Sequence, residues 1–137
     1  MKVSTAQLKK LREAAIEGQA NAYAPFSHFQ VGAAILTKSG NIFSGCNVEN
    51  ASYGATVCAE RVATWKALSS GDRSSIVGVY VIVNAKDSWP PCGLCRQVLV
   101  EFAHPKAKVF CEGTSKRMVT YDLAALMPKA FKPKALE

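Results

Sequence analysis

Ile76-Val77-Gly78-Val79-Tyr80-Val81-Ile82-Val83 is nearly all apolar and rich in β-branched residues. A run with no polar alternation fits a central strand buried on both faces. Downstream, Pro90-Pro91 stops the chain, Cys92 to Ala103 reads as a helix, and Ala107 to Cys111 as a short strand. Strand, helix and strand in that order make a right-handed crossover. Upstream, residues 58–70 form a helix ended by Gly71-Asp72, with Val62, Trp65 and Leu68 as its core face. Helices alternate with strands from residue 42 to residue 111, which predicts an α/β sandwich with a mixed sheet.

The remaining elements lie outside that centre. Residues 4–20 carry an approximate helical stripe of Leu8, Leu11, Ala15 and Ile16. Ser4 or Thr5 caps it, and Gln7 completes a capping box. Gly18 weakens the last turn. Val31 to Thr37 and Ile42 to Val48 form a hairpin around Lys38-Ser39-Gly40-Asn41, which is turn chemistry. Gly113 to Lys116 turns the chain, Arg117 to Thr120 returns as an edge strand, and Thr120 caps a short helix closed by Pro128. With five strands, the expected architecture is a three-layer sandwich, a mixed five-stranded sheet flanked by helices.

Length and composition set the class. A chain of 137 residues with 49% hydrophobic and 20% charged content fits one soluble domain over residues 1–137. No apolar run approaches the ~18 residues of a membrane span, and the start has no apolar core like that of a signal peptide. A cytoplasmic location is expected. The formal charge of +7 comes from scattered lysines and arginines. No aromatic-interleaved basic stretch is present, so a solvated surface is expected rather than a nucleic-acid partner.

Five cysteines in a chain without an export signal argue against a disulfide framework. Three of them fall in two short motifs, Val57-Cys58-Ala59-Glu60-Arg61 and Pro90-Pro91-Cys92-Gly93-Leu94-Cys95-Arg96. Thiolate is a soft ligand that suits zinc, and three protein ligands leave the open fourth position of a catalytic site. Cys46 and Cys111 lie in apolar stretches and read as buried thiols. Either one as a fourth ligand would close the site. Residues i and i+2 do not face each other on a helix, so Cys58 and Glu60 serve one site only if the motif straddles a helix start. Two helix N-termini aimed at one zinc are therefore expected.

Such an arrangement has an electrostatic reason. Three thiolates and Zn²⁺ carry a formal charge of −1, and each N-terminus stabilises nearby negative charge by roughly 0.3–1 kcal/mol. Arg61 and Arg96, each next to a ligand or shuttle in sequence, are placed to donate to thiolate sulfur. Zinc lowers the pKa of bound water from about 15.7 to about 7, and Glu60 is the candidate proton shuttle. Cys-Ala-Glu-Arg followed by Pro-Cys-Gly-Leu-Cys-Arg-Gln matches the general zinc-deaminase pattern.

On these motifs, together with Tyr23-Ala24-Pro25-Phe26-Ser27-His28-Phe29-Gln30-Val31-Gly32-Ala33-Ala34 and Gly45-Cys46-Asn47-Val48-Glu49-Asn50-Ala51-Ser52-Tyr53, the chain resembles the cytidine deaminases. The resemblance is to the small homotetrameric kind with three cysteine ligands, and it covers about residues 5–133. It implies deamination of cytidine and 2′-deoxycytidine to the uridines within pyrimidine salvage. It also implies one zinc per chain on Cys58, Cys92 and Cys95, with Glu60 as the shuttle. By the same resemblance, Phe29 faces the pyrimidine, Asn47 and Glu49 bind the ribose, and the Ala59 backbone contacts the base. Phe131 resembles an aromatic that enters a neighbour's site, and the tail 128–137 is then ordered by contacts between copies.

Asn47 and Glu49, i and i+2 at a strand end, can face one side. An amide and a carboxylate suit sugar hydroxyls, whereas a carboxylate repels phosphate. The free nucleoside is thus the expected substrate, rather than a nucleotide or a strand. His28 and His104 read as structural or exposed. Two other functions remain open at this point. One is a related deaminase for another aminopyrimidine, whether an antibiotic nucleoside or cytosine in nucleic acid. The other is an interaction module around a closed structural zinc.

Overall fold

The computed structural model describes residues 2–132. Its elements in chain order are α1 (Thr5–Gln19), β1 (Val31–Thr37), β2 (Ile42–Cys46), α2 (Ala59–Ser69), β3 (Ile76–Val83), α3 (Gly93–Phe102), β4 (Ala103–Glu112), β5 (Met118–Asp122) and α4 (Leu123–Leu126). One 3-10 turn, Tyr53–Ala55, precedes α2. The five strands form one sheet in the order β2-β1-β3-β4-β5. Only β3 and β4 run parallel, joined through α3, and the other pairs are antiparallel. The sheet is mixed, as expected.

Every residue of β3 is buried, which is why its sequence lacks polar alternation. On one face Ile35, Val79, Val81, Val109 and Cys111 pack with Ala63, Ala67, Leu99 and Leu123 from α2, α3 and α4. On the other, Ala34, Leu36, Tyr80, Ile82 and Phe110 pack with Leu11 and Ala15 of α1. The result is the three-layer arrangement. On the α1 side, buried Glu112 takes both Arg12 Nε (2.7 Å) and Nη2 (2.9 Å) and the Tyr80 hydroxyl (2.5 Å).

Several boundaries and faces differ from the sequence expectations. β2 ends at Cys46, two residues early, because Val48 leaves the hairpin to bridge Tyr23 and Val57. Cys46 is accordingly half-buried rather than buried, whereas Cys111 is buried. The buried face of α2 is Ala59, Glu60, Ala63, Thr64 and Ala67, and Trp65 stands 48% exposed. Close approach selects the small residues: a Cβ on Gly45 of β2 would lie 2.5 Å from the Ala59 carbonyl oxygen and 2.6 Å from Ala63 N.

Gly18 plays the matching part on the opposite face, since a Cβ there would meet the Gly45 carbonyl oxygen at 2.3 Å. It is buried, while Ile16 of the expected stripe is exposed. The capping box of Ser4 and Gln7 forms as expected. β5 extends to Asp122, so Asp122 rather than Thr120 stands at the start of α4. From residue 133 the expected ordered tail lies outside the described residues.

Candidate metal centre and substrate cleft

Gly45 sets the height at which α2 begins. Its first turn starts immediately after Cys58, which occupies the N-cap position in extended conformation. Cys92 is the N-cap of α3, and its sulfur accepts from Cys95 N at 3.4 Å. Pro90 and Pro91 suit this geometry, because proline favours extended backbone and cannot continue a helix. Two helix N-termini therefore converge, as the spacing of Cys58 and Glu60 requires.

The three sulfurs lie within 4.8 Å of one another. Cys58 Sγ and Cys92 Sγ are 3.7 Å apart. A tetrahedral ion with Zn–S bonds of about 2.3 Å spaces its ligands by about 3.8 Å, so the donor set fits zinc. Among the described residues no fourth His, Cys, Asp or Glu joins the cluster, and Cys46 and Cys111 stay out of it. One tetrahedral position is left for a non-protein ligand.

The surroundings favour thiolate at Cys58 and the neutral thiol at Cys95. The Cys58 thiol is pulled down, first by the hydrogen bond from Cys95, with Arg61 and Cys92 adding to it. Cys95 moves upward because it supplies that bond. Arg61 Nη2 donates to Cys58 Sγ at 3.5 Å, and its Nε is buried without a partner. Its guanidinium lies 5.9 Å from the centre of the Trp65 ring. Arg96 does not reach sulfur. Its Nε donates to the Pro91 carbonyl (2.7 Å) and its Nη1 to the Leu126 carbonyl (3.0 Å), tying the cysteine loop to α4.

Glu60, in the first turn of α2, is 4% exposed, and burial pushes its carboxyl up to about 7. It borders a cleft of about 460 Å³ together with Cys58, Ala59 and Cys92. Phe29, Val31, Val57, Val81 and Trp89 form apolar wall, and Ser27, Asn47 and Glu49 bring polar atoms to the same space. The structure thus gathers Phe29, Asn47, Glu49, Ala59 and Glu60 beside the three cysteines. It does not place Phe131 there: that residue is 60% exposed and does not line its own chain's cleft, while its carbonyl accepts from Gln97 of α3 at 2.9 Å.

Asn47 and Glu49 do more than face the cleft. Asn47 Oδ1 accepts from Val31 N (2.9 Å) and its Nδ2 donates to the Phe29 carbonyl (2.7 Å). Glu49 Oε1 accepts from Phe26 N (2.9 Å) and Ser27 N (3.0 Å), and Oε2 accepts from the Ser27 hydroxyl. These bonds, the Ser27 hydroxyl first, hold the Glu49 carboxyl below its ordinary value. His28 is exposed in this loop with φ 63°, and His104 is half-buried, accepting from Lys106 N.

Trp89 and Ser27 are among the lining residues that the sequence does not single out. Trp89 packs edge-on to Phe29, with ring centres 4.7 Å apart and planes at 64°. Its signal was position, directly before the prolines that deliver Cys92. Ser27 had a fainter one: a small hydroxyl residue in a loop commonly bonds nearby backbone.

Residues 5–111 match the family model for the cytidine and deoxycytidylate deaminase zinc-binding region. A cytidine deaminase of Halalkalibacterium halodurans is 44% identical over 117 residues, 85% of this chain and 88% of that protein. One from Sporosarcina psychrophila is 40% identical over 126 residues, 92% of this chain and 87% of the relative. The crystal structure of cytidine deaminase from Burkholderia pseudomallei superposes with a TM-score of 0.85 at 41% identity, covering 90% of this chain and 98% of that one. With its three sulfurs and buried glutamate gathered at two helix N-termini, this chain belongs to the cytidine and deoxycytidylate deaminase family.

Proposed function

We propose that the protein hydrolytically deaminates cytidine and 2′-deoxycytidine, with one zinc per chain, giving uridine or 2′-deoxyuridine and ammonia. One observation carries this: a three-sulfur cluster with one tetrahedral position left over, bordered by buried Glu60 within a largely apolar cleft. Cys58, Cys92 and Cys95 would hold the ion, and Arg61 would stabilise the thiolate of Cys58. When bound, zinc supplies the Lewis acidity that makes water a nucleophile near neutral pH.

Glu60 takes one proton of the attacking water and passes it to the ring nitrogen, then takes the second from the hydroxyl formed at the ring carbon and passes it to the departing amine. A carboxyl raised toward neutrality by burial suits both the accepting and the returning step. Phe29 lies against the pyrimidine and Trp89 supports its edge. The first turn of α2 at Ala59 offers backbone N–H to the base, since helix starts leave such groups unpaired. Asn47 and Glu49 meet the ribose hydroxyls. Glu49 also sets the choice between nucleoside and nucleotide, because a carboxylate repels a phosphate.

We further propose a single catalytic domain over residues 1–137, acting in the cytoplasm in pyrimidine salvage. Its working form is a homotetramer in which Phe131 completes the cleft of a neighbouring copy. Exposure of Phe131 away from its own cleft supports that role. Among the described residues no helix is long and apolar enough to cross a membrane.

The decisive experiment pairs zinc content per chain with ammonia release from cytidine, 2′-deoxycytidine and the 5′-monophosphate. One zinc and turnover of the two nucleosides are expected. A metal-free active form overturns the mechanism, and comparable turnover of the monophosphate overturns the nucleoside assignment.

A further inference from the structure

We propose that Ser27 is a positioning residue that couples sugar recognition to base recognition, so that the two are lost or kept together. This rests on the deaminase reading above and adds to it a residue with no assigned part in the reaction. The observation is a chain of three groups. The Ser27 hydroxyl bonds Glu49 Oε2, and Phe29 N donates to the same hydroxyl at 3.1 Å. A carboxylate can only accept and an amide N–H can only donate. The hydroxyl is therefore oriented from both sides, donating to Glu49 and accepting from Phe29.

The surrounding backbone makes the coupling stiff. Phe26 N and Ser27 N go to Glu49, His28 N to the Ala24 carbonyl, Gln30 N to Asn84 Oδ1 and Val31 N to Asn47 Oδ1. With Phe29 N on Ser27, every N–H from residue 26 to residue 31 has a partner. The Phe29 peptide is held at both ends, its carbonyl by Asn47 Nδ2. His28, between Ser27 and Phe29, has φ 63°, a left-handed conformation that costs a non-glycine residue free energy. The Ser27 hydroxyl spans that bend. It fixes the height of the Phe29 ring and, through the same atom, the direction of Glu49 Oε2.

A carboxylate oxygen has room for two hydrogen bonds, so Oε2 can still receive a ribose hydroxyl while Ser27 holds it. Without the Ser27 hydroxyl, Glu49 stays tethered at Oε1 by Phe26 N and Ser27 N but Oε2 loses the donor that orients it, and the Phe29 N–H loses its partner. The sugar contact and the ring platform then loosen together. The protein is expected to favour the intact nucleoside over the free base by more than the sugar contacts alone provide.

The test is steady-state kinetics on the zinc-loaded protein with cytidine, using S27A, S27T, E49Q and S27A/E49Q, with thermal melts alongside. S27A is expected to raise KM by about tenfold, the scale of a hydrogen bond to a charged group, with kcat within about twofold and the protein still folded and zinc-loaded at the assay temperature. S27T, which keeps the hydroxyl, should restore KM. Because both single changes break the Ser27–Glu49 bond and S27A alone also frees the Phe29 N–H, S27A should add less than about threefold to E49Q. If S27A lowers the melting temperature, S27C, which keeps the shape and weakens the donor, is expected to show the same KM rise.

An unchanged KM in S27A, or in S27C where that replaces it, overturns the coupling. So does an S27A effect that multiplies in full with E49Q. Wild-type turnover of cytidine separates the two failures. Its absence defeats the deaminase reading, whereas turnover with an insensitive KM defeats only the role of Ser27.

Discussion

On the metal side of the cleft, burial and close charge dominate: burial lifts the Glu60 carboxyl to about 7, three sulfurs lie within 4.8 Å of one another, and Arg61 donates to the Cys58 sulfur. On the loop side hydrogen bonds dominate. Asn47 and Glu49 each bond two or more groups of the segment that carries Phe29, and hydrogen bonds push the Glu49 carboxyl down. The same residue type, glutamate, is shifted in opposite directions within one cleft. Desolvation raises a carboxyl and accepted hydrogen bonds lower it. The proposed proton shuttle is thus set by burial, and the proposed sugar-binding pair by hydrogen bonding.

Damage to the two sides should therefore differ in kind. The largest effect is expected from Cys58→Ala. Zinc per chain should fall toward zero by metal analysis and ammonia release should vanish with it, while near-stoichiometric zinc would break the three-sulfur assignment. Next comes Glu60→Gln, which should leave zinc content and the melting temperature near wild type and lower kcat by at least ~10²-fold. Unchanged kcat would remove Glu60 from the shuttle role.

On the loop side, Asn47→Ala should act on stability as well as on substrate binding. It leaves Val31 N and the Phe29 carbonyl without their partner, at a cost of about 1–3 kcal/mol. Urea denaturation reads that cost, and a stability equal to wild type would show that the loop is held by other means. The smallest effect concerns pH. The folded Glu49 carboxyl titrates below its ordinary 4.5, so its contribution to stability is complete above about 4.5 and is lost as pH falls through the lower folded value. Ser27→Ala should move the Glu49 carboxylate resonance back up toward 4.5 in an NMR titration. No movement would mean that the hydroxyl does not bear on that charge.

Much of the site was legible because metal chemistry restricts residue type and spacing severely. Cys58 and Glu60, two apart, could share a site only at a helix start, and the Pro90-Pro91 pair implied the second start. The sheet was legible from the β-branched run of β3 and the turn residues between β1 and β2. The errors cluster where contact distance decided. Trp65 and Ile16 looked like core because they are apolar at helical spacing. On α2 the face that packs is the small one, since Gly45 brings helix and sheet too close for large side chains, and in the last turn of α1 Gly18 does the same while Leu11 fills the wider gap one face-repeat earlier. By its place in the sequence Arg96 is a weaker candidate than Arg61 for donating to sulfur, and it points toward the Pro91 and Leu126 carbonyls instead.

Residue chemistry alone determined the metal type, the two helix starts and the alternation of helices with strands. Each depends on local geometry or on the electronic character of a side chain, and both travel with the sequence. Only tertiary structure decided that Ser27 lies between Glu49 and Phe29, that Trp89 backs the Phe29 ring, and that Val48 leaves the hairpin to bridge Tyr23 and Val57. Those contacts join segments up to sixty residues apart. A hydroxyl or an indole has many acceptable neighbours, and the packing of the whole chain selects one.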